Sequence, residues 1–266
     1  VKMIQAALLP AIPISPNIRM ITILFYVLSF GGLYSLLVYF EFHRNAVIEP
    51  GNLETLNIPI LATLPSVPII KKGYHLSQMF MEDVNSEFSE SVRTLRTLLI
   101  AKYQKKKSFL VSSTYSGEGK TTIALNISLA FSKIGKVLLI ETDIRRPSVL
   151  SLINQDAAKS PGFSDLIQNQ VEFSKTILNI PGSAIDLMTS GSRRSDLTDL
   201  TTPSKLKEFF DHLKESYDYI VLDTPPIQPV SDTLFIGQAT DHNLLIARSK
   251  FTKLAGIKSA LKKLKN

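Results

Sequence analysis

Three short stretches carry residue types suited to holding phosphate and a divalent cation. The first is Ser113-Thr114-Tyr115-Ser116-Gly117-Glu118-Gly119-Lys120-Thr121-Thr122. Gly117 and Gly119 admit backbone angles and a close approach that a Cβ would block. Successive amides there can point inward as an anion nest, at the positive end of the helix that follows. Lys120 would place a point charge on the outer phosphates, and the Thr121 hydroxyl would face Mg2+. The second stretch is Glu141-Thr142-Asp143-Ile144-Arg145 and the third is Asp223-Thr224-Pro225-Pro226. Asp223 ends an apolar run, where a carboxylate can hold a metal directly or through water. Glu141 and Asp143 stand two apart, so on an extended chain they share one side. One can order the metal while the other accepts a proton from an attacking hydroxyl. Arg145 is a further phosphate candidate; a structural ion pair is its other reading. Together these are the parts of a phosphoryl-transfer site using ATP and Mg2+.

The loop departs from the usual Gly-x4-Gly-Lys-Ser/Thr pattern, because Thr114 takes the first glycine position. An ordinary glycine-containing strand–helix turn would explain the loop alone. It does not explain two acidic strand ends further along.

The elements that must position these residues are legible as an alternation. A helix is expected from about Glu82, with Phe88, Val92, Leu95 and Leu99 at helical spacing. Strands are expected at Ser108–Ser112, Val137–Thr142, Ile185–Met188, Tyr219–Asp223 and Asn243–Ala247. Helices are expected at Lys120–Ile134, Pro203–Ser216, Thr233–Ala239 and Thr252–Leu264. This predicts an α/β fold: a mostly parallel sheet with helices on both faces, as in P-loop NTPases.

Upstream lies a different kind of sequence. Met20–Phe40 has no charged residue. About twenty such residues suffice for a helix to cross a bilayer. Before it, LLPAIPISPN has prolines at 10, 13 and 16, which favour extended structure. Basic residues favour the cytoplasmic side. They lie on both sides of the span, Lys2 and Arg19 before it, His43, Arg44, Lys71 and Lys72 after it. The long C-terminal part is therefore expected in the cytoplasm, in keeping with a need for ATP. The expected organisation is a segment at 1–19, a transmembrane helix at 20–40, a linker at 41–80 with a short strand at Ile58–Leu64, and a nucleotide-binding domain at 81–266.

The chain carries a formal net charge of +7. Lys102, Lys105–Lys107 and the lysines from Lys250 to Lys265 supply much of it. The first reading is solvated helix faces; contact with anionic lipid headgroups is the other. No aromatic-interleaved basic groove argues for nucleic acid. There is no cysteine, hence no disulfide framework and no thiolate metal site.

The three motifs resemble those of the bacterial tyrosine kinases (BY-kinases) of capsule and exopolysaccharide assembly, over nearly the whole chain. The family's loop reads Ser-x-x-Pro-Gly-Glu-Gly-Lys-Ser/Thr, and Ser113–Thr121 fits it except that Ser116 replaces proline. The Asp-x-Asp motif is here Glu141-Thr142-Asp143, and Asp-x-Pro-Pro is intact at Asp223–Pro226. The family's Glu-x-x-Arg-x-x-Arg ring-forming motif is matched by Glu90, Arg93 and Arg96, on one helical stripe. The resemblance implies a membrane-bound kinase of the bacterial inner membrane that phosphorylates tyrosine-rich tails of neighbouring subunits in a ring. It also implies polysaccharide export machinery and a phosphotyrosine phosphatase as partners. By the same resemblance the helix at 20–40 is the second of two spans, residues 1–19 are periplasmic, and the chain is a fragment. Glu141 replaces the Asp most often suggested to activate the tyrosine hydroxyl, on a stem one methylene longer. The family continues into a further strand and a tyrosine cluster. Neither is seen before Asn266, so the sheet is expected to lack an edge strand.

Two other classes stay open at this point. A nucleotide-switched assembly ATPase of the cell-division and partition type would hydrolyse ATP without phosphorylating protein. Those relatives carry an extra lysine early in the loop, and Ser113–Ser116 holds none. A chain-length regulator with a degenerate kinase domain would use the nucleotide only for assembly; Glu141 is the residue that suggests it.

Overall fold

The computed structural model describes residues 16–44, 53, 56, 58–66, 79–103, 107–153, 160–180, 182–192, 197–228 and 231–265. Two compact units result, 1–45 and 46–266. The proline-punctuated stretch through Pro13, and much of the expected linker, lie outside the described residues.

Among the described residues, the first unit holds one helix, α1 (Ile18–Arg44). Residues Ile18–Glu41 within it are long and apolar enough to cross a membrane, and none of that window is buried against protein. Leu24, Phe25, Leu28 and Phe30 are all exposed. An all-round apolar surface of this kind is unstable in water and suited to hydrocarbon.

Among the described residues, the second unit is built on a six-stranded sheet. Its strands are β1 (Ser108–Ser113), β2 (Val137–Glu141), β3 (Ile177–Asn179), β4 (Ile185–Met188), β5 (Tyr219–Asp223) and β6 (His242–Ile246). The spatial order is β3-β4-β2-β5-β1-β6. All neighbours are parallel except β3, which pairs antiparallel with β4. The expected mostly parallel sheet is therefore present, with one antiparallel edge that no sequence signal announced.

Alternation along the strands sends side chains into two cores. Phe109, Val111, Val137, Leu139 and Val221 pack in one. Leu110, Leu138, Ile140, Ile220 and Leu222 pack in the other. Parallel strands buried on both faces read as continuous apolar runs, and these do. The first core is covered by α2 (Met79–Glu82), α3 (Glu87–Lys102) and α4 (Lys120–Phe131). Helix α4 is buried nearly all round, because it lies between the sheet and α3. Two short helices, α5 (Val149–Leu152) and α6 (Phe163–Ile167), follow β2, and a 3-10 turn at Phe173–Thr176 precedes β3. The second core is covered by α7 (Leu197–Leu200), α8 (Pro203–Ser216) and α9 (Asp232–Gly237). Helix α10 (Leu254–Lys265) closes the described chain.

Three expectations need correction. The helix expected from Glu82 is two helices. Ser86 caps α3, its Oγ accepting from the Ser89 amide at 3.2 Å and donating to the Asp83 carbonyl at 2.8 Å, so the chain turns there. Met79 and Phe80 are core residues, so packing begins upstream of residue 81. Residues 58–66 form no strand; Leu61, Ala62 and Leu64 pack against the core as coil.

Candidate functional site

Sheet register sets the site. Val111 pairs with Asp223, and Asp223 with Glu141, so β5 and β2 end in one row and β1 runs two residues past it into the loop. This is the carboxyl rim of a parallel sheet, where α/β folds bind ligands. The Asp223 carbonyl accepts from the Thr142 amide at 2.8 Å and its hydroxyl at 2.9 Å, which locks two strand ends together.

The loop after β1 turns through Gly117 at φ 85 and Gly119 at φ 94. Both lie in the left-handed region that side chains resist, and Gly119 is the N-cap of α4. Ser116, Gly117, Gly119, Lys120, Thr121 and Thr122 line a cavity of about 640 Å³, together with Asp143, Arg145, Arg146, Ser148 and Pro225–Pro226. Lys120 Nζ lies 3.5 Å from Asp143 Oδ2 and 3.5 Å from Asp223 Oδ1. It also donates to Thr121 Oγ1 at 3.1 Å. The loop lysine, the hydroxyl and two strand-end acids thus meet at one point.

Asp223 is fully buried, and neither of its carboxylate oxygens receives a well-formed hydrogen bond. Burial pushes its carboxyl up to about 7. Lys120 and the nearby Thr121 hydroxyl oppose this, while Glu141 and Asp143 reinforce it. A buried carboxylate short of partners is what a cation site looks like before its cation. Among the described residues no group of three His, Cys, Asp or Glu side chains could hold a metal alone. Magnesium is usually bound by one or two carboxylates plus phosphate and water, so Thr121, Asp143 and Asp223 fit it only alongside a nucleotide.

Glu141 and Asp143 do not share a side. The strand ends at Glu141, and the chain then bends, Ile144 N donating to Thr142 O at 2.9 Å. Glu141 Oε1 accepts from the amides of Ser148 at 2.5 Å and Val149 at 2.8 Å. It therefore caps α5, whose own N-cap Ser148 makes no side-chain capping bond. Burial raises its carboxyl; the amides of Val149, Ser148 and Ser190 counter this, and Asp143 adds to the rise. Asp143 faces the cavity, its Oδ1 accepting from the Arg146 amide at 3.0 Å. The equivalence expected from their spacing fails, because helix α5 claims the first carboxylate.

Four loop residues also turn away. Ser113, Thr114 and Glu118 are buried, and neither they nor Tyr115 line the cavity. Ser113 Oγ donates to the Tyr115 carbonyl at 2.7 Å. Glu118 Oε2 accepts from the amides of Thr114 at 2.7 Å and Tyr115 at 3.1 Å. Burial raises the Glu118 carboxyl against the hydrogen bonds of Thr252, Tyr115 and Thr114. Arg145 lines the cavity half-exposed, with Nε 3.7 Å from buried Asp232 Oδ2. Asp232 and Ser148 were not anticipated. The Pro147-Ser148 step before an apolar run is a helix-start signal that points to Ser148; nothing in sequence marks Asp232.

Glu90, Arg93 and Arg96 lie on α3, away from the cavity. Arg93 Nε meets Glu90 Oε2 at 2.8 Å, and its Nη2 donates to the Val84 carbonyl at 2.7 Å. Arg96 Nη1 donates to the Ala130 carbonyl at 3.0 Å, capping the end of α4.

A glycine-bearing phosphate loop between β1 and a buried helix, beside two strand-end acids on a mostly parallel sheet, defines a P-loop nucleotide-binding fold. Residues 107–266 match the family described as an AAA domain. The tyrosine-protein kinase CpsD of Streptococcus pneumoniae is 30% identical over 162 residues, 60% of this chain and 71% of that protein. The tyrosine-protein kinase Ptk of Acinetobacter johnsonii is 26% identical over 275 residues, 98% of this chain and 37% of that protein. The kinase domain of the Escherichia coli tyrosine kinase ETK superposes with a TM-score of 0.73 at 22% identity, covering 82% of this chain and 89% of that one. At that identity the superposition speaks for the fold. The chain belongs to the family of bacterial tyrosine-protein kinases. It spans 37% of the length of Ptk, a minor part of that relative.

Proposed function

We propose that this chain is the nucleotide-binding and catalytic part of a membrane-anchored tyrosine kinase, acting in capsule or exopolysaccharide production. It would phosphorylate tyrosines on neighbouring copies. The observation that carries the reading is the position of Lys120 Nζ, 3.5 Å from both Asp143 and Asp223 beneath the loop.

Amides of Ser116–Thr121 and the N-terminus of α4 bind and orient the phosphates. Lys120 leaves its carboxylate partners to balance charge on the outer phosphates. Thr121, Asp143 and Asp223 would hold Mg2+, which would set its charge against the outer phosphates. Bound Mg·ATP supplies the phosphoryl group and the metal's charge. Asp143, at the cavity wall, accepts the proton of the incoming tyrosine hydroxyl; Glu141 is committed to α5. Arg145, steered by Asp232, reaches the outer face of the cavity.

Helix α1 anchors the kinase domain on the cytoplasmic side of the inner membrane, with residues 1–19 periplasmic and the segment after the helix leading into the kinase domain. Glu90, Arg93 and Arg96 contribute to a ring of subunits. Export machinery and a phosphotyrosine phosphatase are the remaining partners the family likeness supports. Phosphotyrosine immunoblotting of the full-length protein beside Lys120→Met tests the reading. Signal from the wild type alone is expected; equal signal from both contradicts it.

A further inference from the structure

Glu118 poses a puzzle of charge. A buried carboxylate sits inside a loop whose proposed task is to hold phosphate, where a negative charge works against the ligand. Its bonds show what it does instead. Oε2 gathers the amides of Thr114 and Tyr115, and Oε1 accepts from the Thr252 hydroxyl at 2.6 Å. Thr252 is itself fully buried, and its Oγ1 accepts from the Arg248 amide at 2.7 Å. The Arg248 side chain returns to the loop, Nη1 donating to the Gly117 carbonyl at 3.2 Å. A third link is steric. A Cβ at Gly256 of α10 would stand 2.6 Å from the Tyr115 hydroxyl and 2.9 Å from Thr114 Cγ2, so α10 lies directly against the loop.

We infer that Glu118 and Thr252 are positioning residues: their buried hydrogen bond fastens the phosphate loop to the segment between β6 and α10, and so holds the loop's inward-facing amides ready for nucleotide. The inference rests on the nucleotide-binding reading of the cavity. Glu118 removes two amides from the cradle and spends its charge on shape. The loop arrives preformed, and its ordering cost is not charged to binding. The segment 248–256 thereby acts on the nucleotide without lining its cavity.

The test is MgADP titration of the full chain in detergent, with variants on both sides of the bond. Thr252→Val should weaken MgADP about tenfold, and Thr252→Ser should stay within about twofold of wild type. Glu118→Ala should also weaken binding, whereas charge alone predicts that removing a carboxylate tightens it. Hydrogen exchange on the nucleotide-free protein separates local release from general loosening. Faster exchange confined to 114–119 in Thr252→Val supports the inference, and uniform acceleration overturns it. Unchanged affinity in Thr252→Val, or tighter binding by Glu118→Ala, overturns it as well. Failure of the wild type to bind MgADP would overturn the nucleotide reading itself, and the positioning role with it.

Discussion

Glu141 and Val149 are joined by a 2.8 Å hydrogen bond that takes the strand-end carboxylate out of the cavity and gives it to a helix N-terminus. Residue identity had made Glu141 and Asp143 interchangeable candidates; this bond separates them. Asp143→Asn should lower autophosphorylation about 10²–10⁴-fold, the usual worth of a positioned acid–base group. Glu141→Gln keeps one acceptor for the two amides and should lower stability by about 1–3 kcal/mol, with the smaller effect on rate. Phosphotyrosine rates and denaturant midpoints on the same preparations check the split. Glu141→Gln losing rate as severely as Asp143→Asn would contradict it.

Asp223 is expected to be a liability in the nucleotide-free protein. Its carboxyl is raised to about 7, first by burial. A raised carboxyl binds its proton more tightly folded than unfolded, so its contribution to stability falls as pH rises from about 3.8 towards 7. Asp223→Asn should remove that slope and raise Tm at pH 7.5 by about 2–4 °C. It should also abolish the Mg2+ dependence of nucleotide binding. Calorimetry across pH, without nucleotide, is the measurement; an Asn variant that melts lower would count against this account of the carboxylate.

Asp241 works in the opposite direction, far from the chemistry. Burial opposes its charge, but Lys214 at 2.9 Å and the amide and hydroxyl of Ser108 outweigh that and hold its carboxyl at about 2. A depressed carboxyl stabilises above its unfolded value of 3.8 and loses that contribution as pH falls towards 2. The shift corresponds to about 2 kcal/mol. Asp241→Asn should cost roughly that much at pH 7, because the carboxylate ties β1 to the start of β6. The cost should shrink by pH 3, and urea midpoints at the two pH values give the comparison. An equal cost at both would refute the assignment.

The legible parts of this fold were those decided locally. Tyr219–Asp223 is a strand because five consecutive residues suit a doubly buried parallel position, and Pro203 marks the first turn of α8 as Thr202 caps it, its Oγ1 accepting from the Lys205 amide at 3.4 Å. The meeting of Lys120 with Asp143 and Asp223 was legible because Asp223 ends a parallel strand and the other two follow one, and parallel strands bring their carboxyl ends to one rim. What failed to show was decided by tertiary partners. β3 is three residues, two half-buried and Asn179 exposed, and it extends by pairing with β4. Ile58–Leu64 has strand-like residues, yet the core takes them as coil. Glu118 reads as part of the phosphate loop from its neighbours, while its side chain belongs to Thr252, 134 residues away in sequence. No local signal carries such a bond.

The central claim is that loop amides, one ammonium and two acids form a single Mg·nucleotide site. Calorimetric titration of a non-hydrolysable ATP analogue, with Mg2+ and then with EDTA, tests it most directly on the wild type and Lys120→Met. The account predicts binding by the wild type that weakens in EDTA, and a loss of at least about tenfold, roughly 1.4 kcal/mol, in Lys120→Met. Equal affinity in both proteins, or binding indifferent to Mg2+, would contradict it.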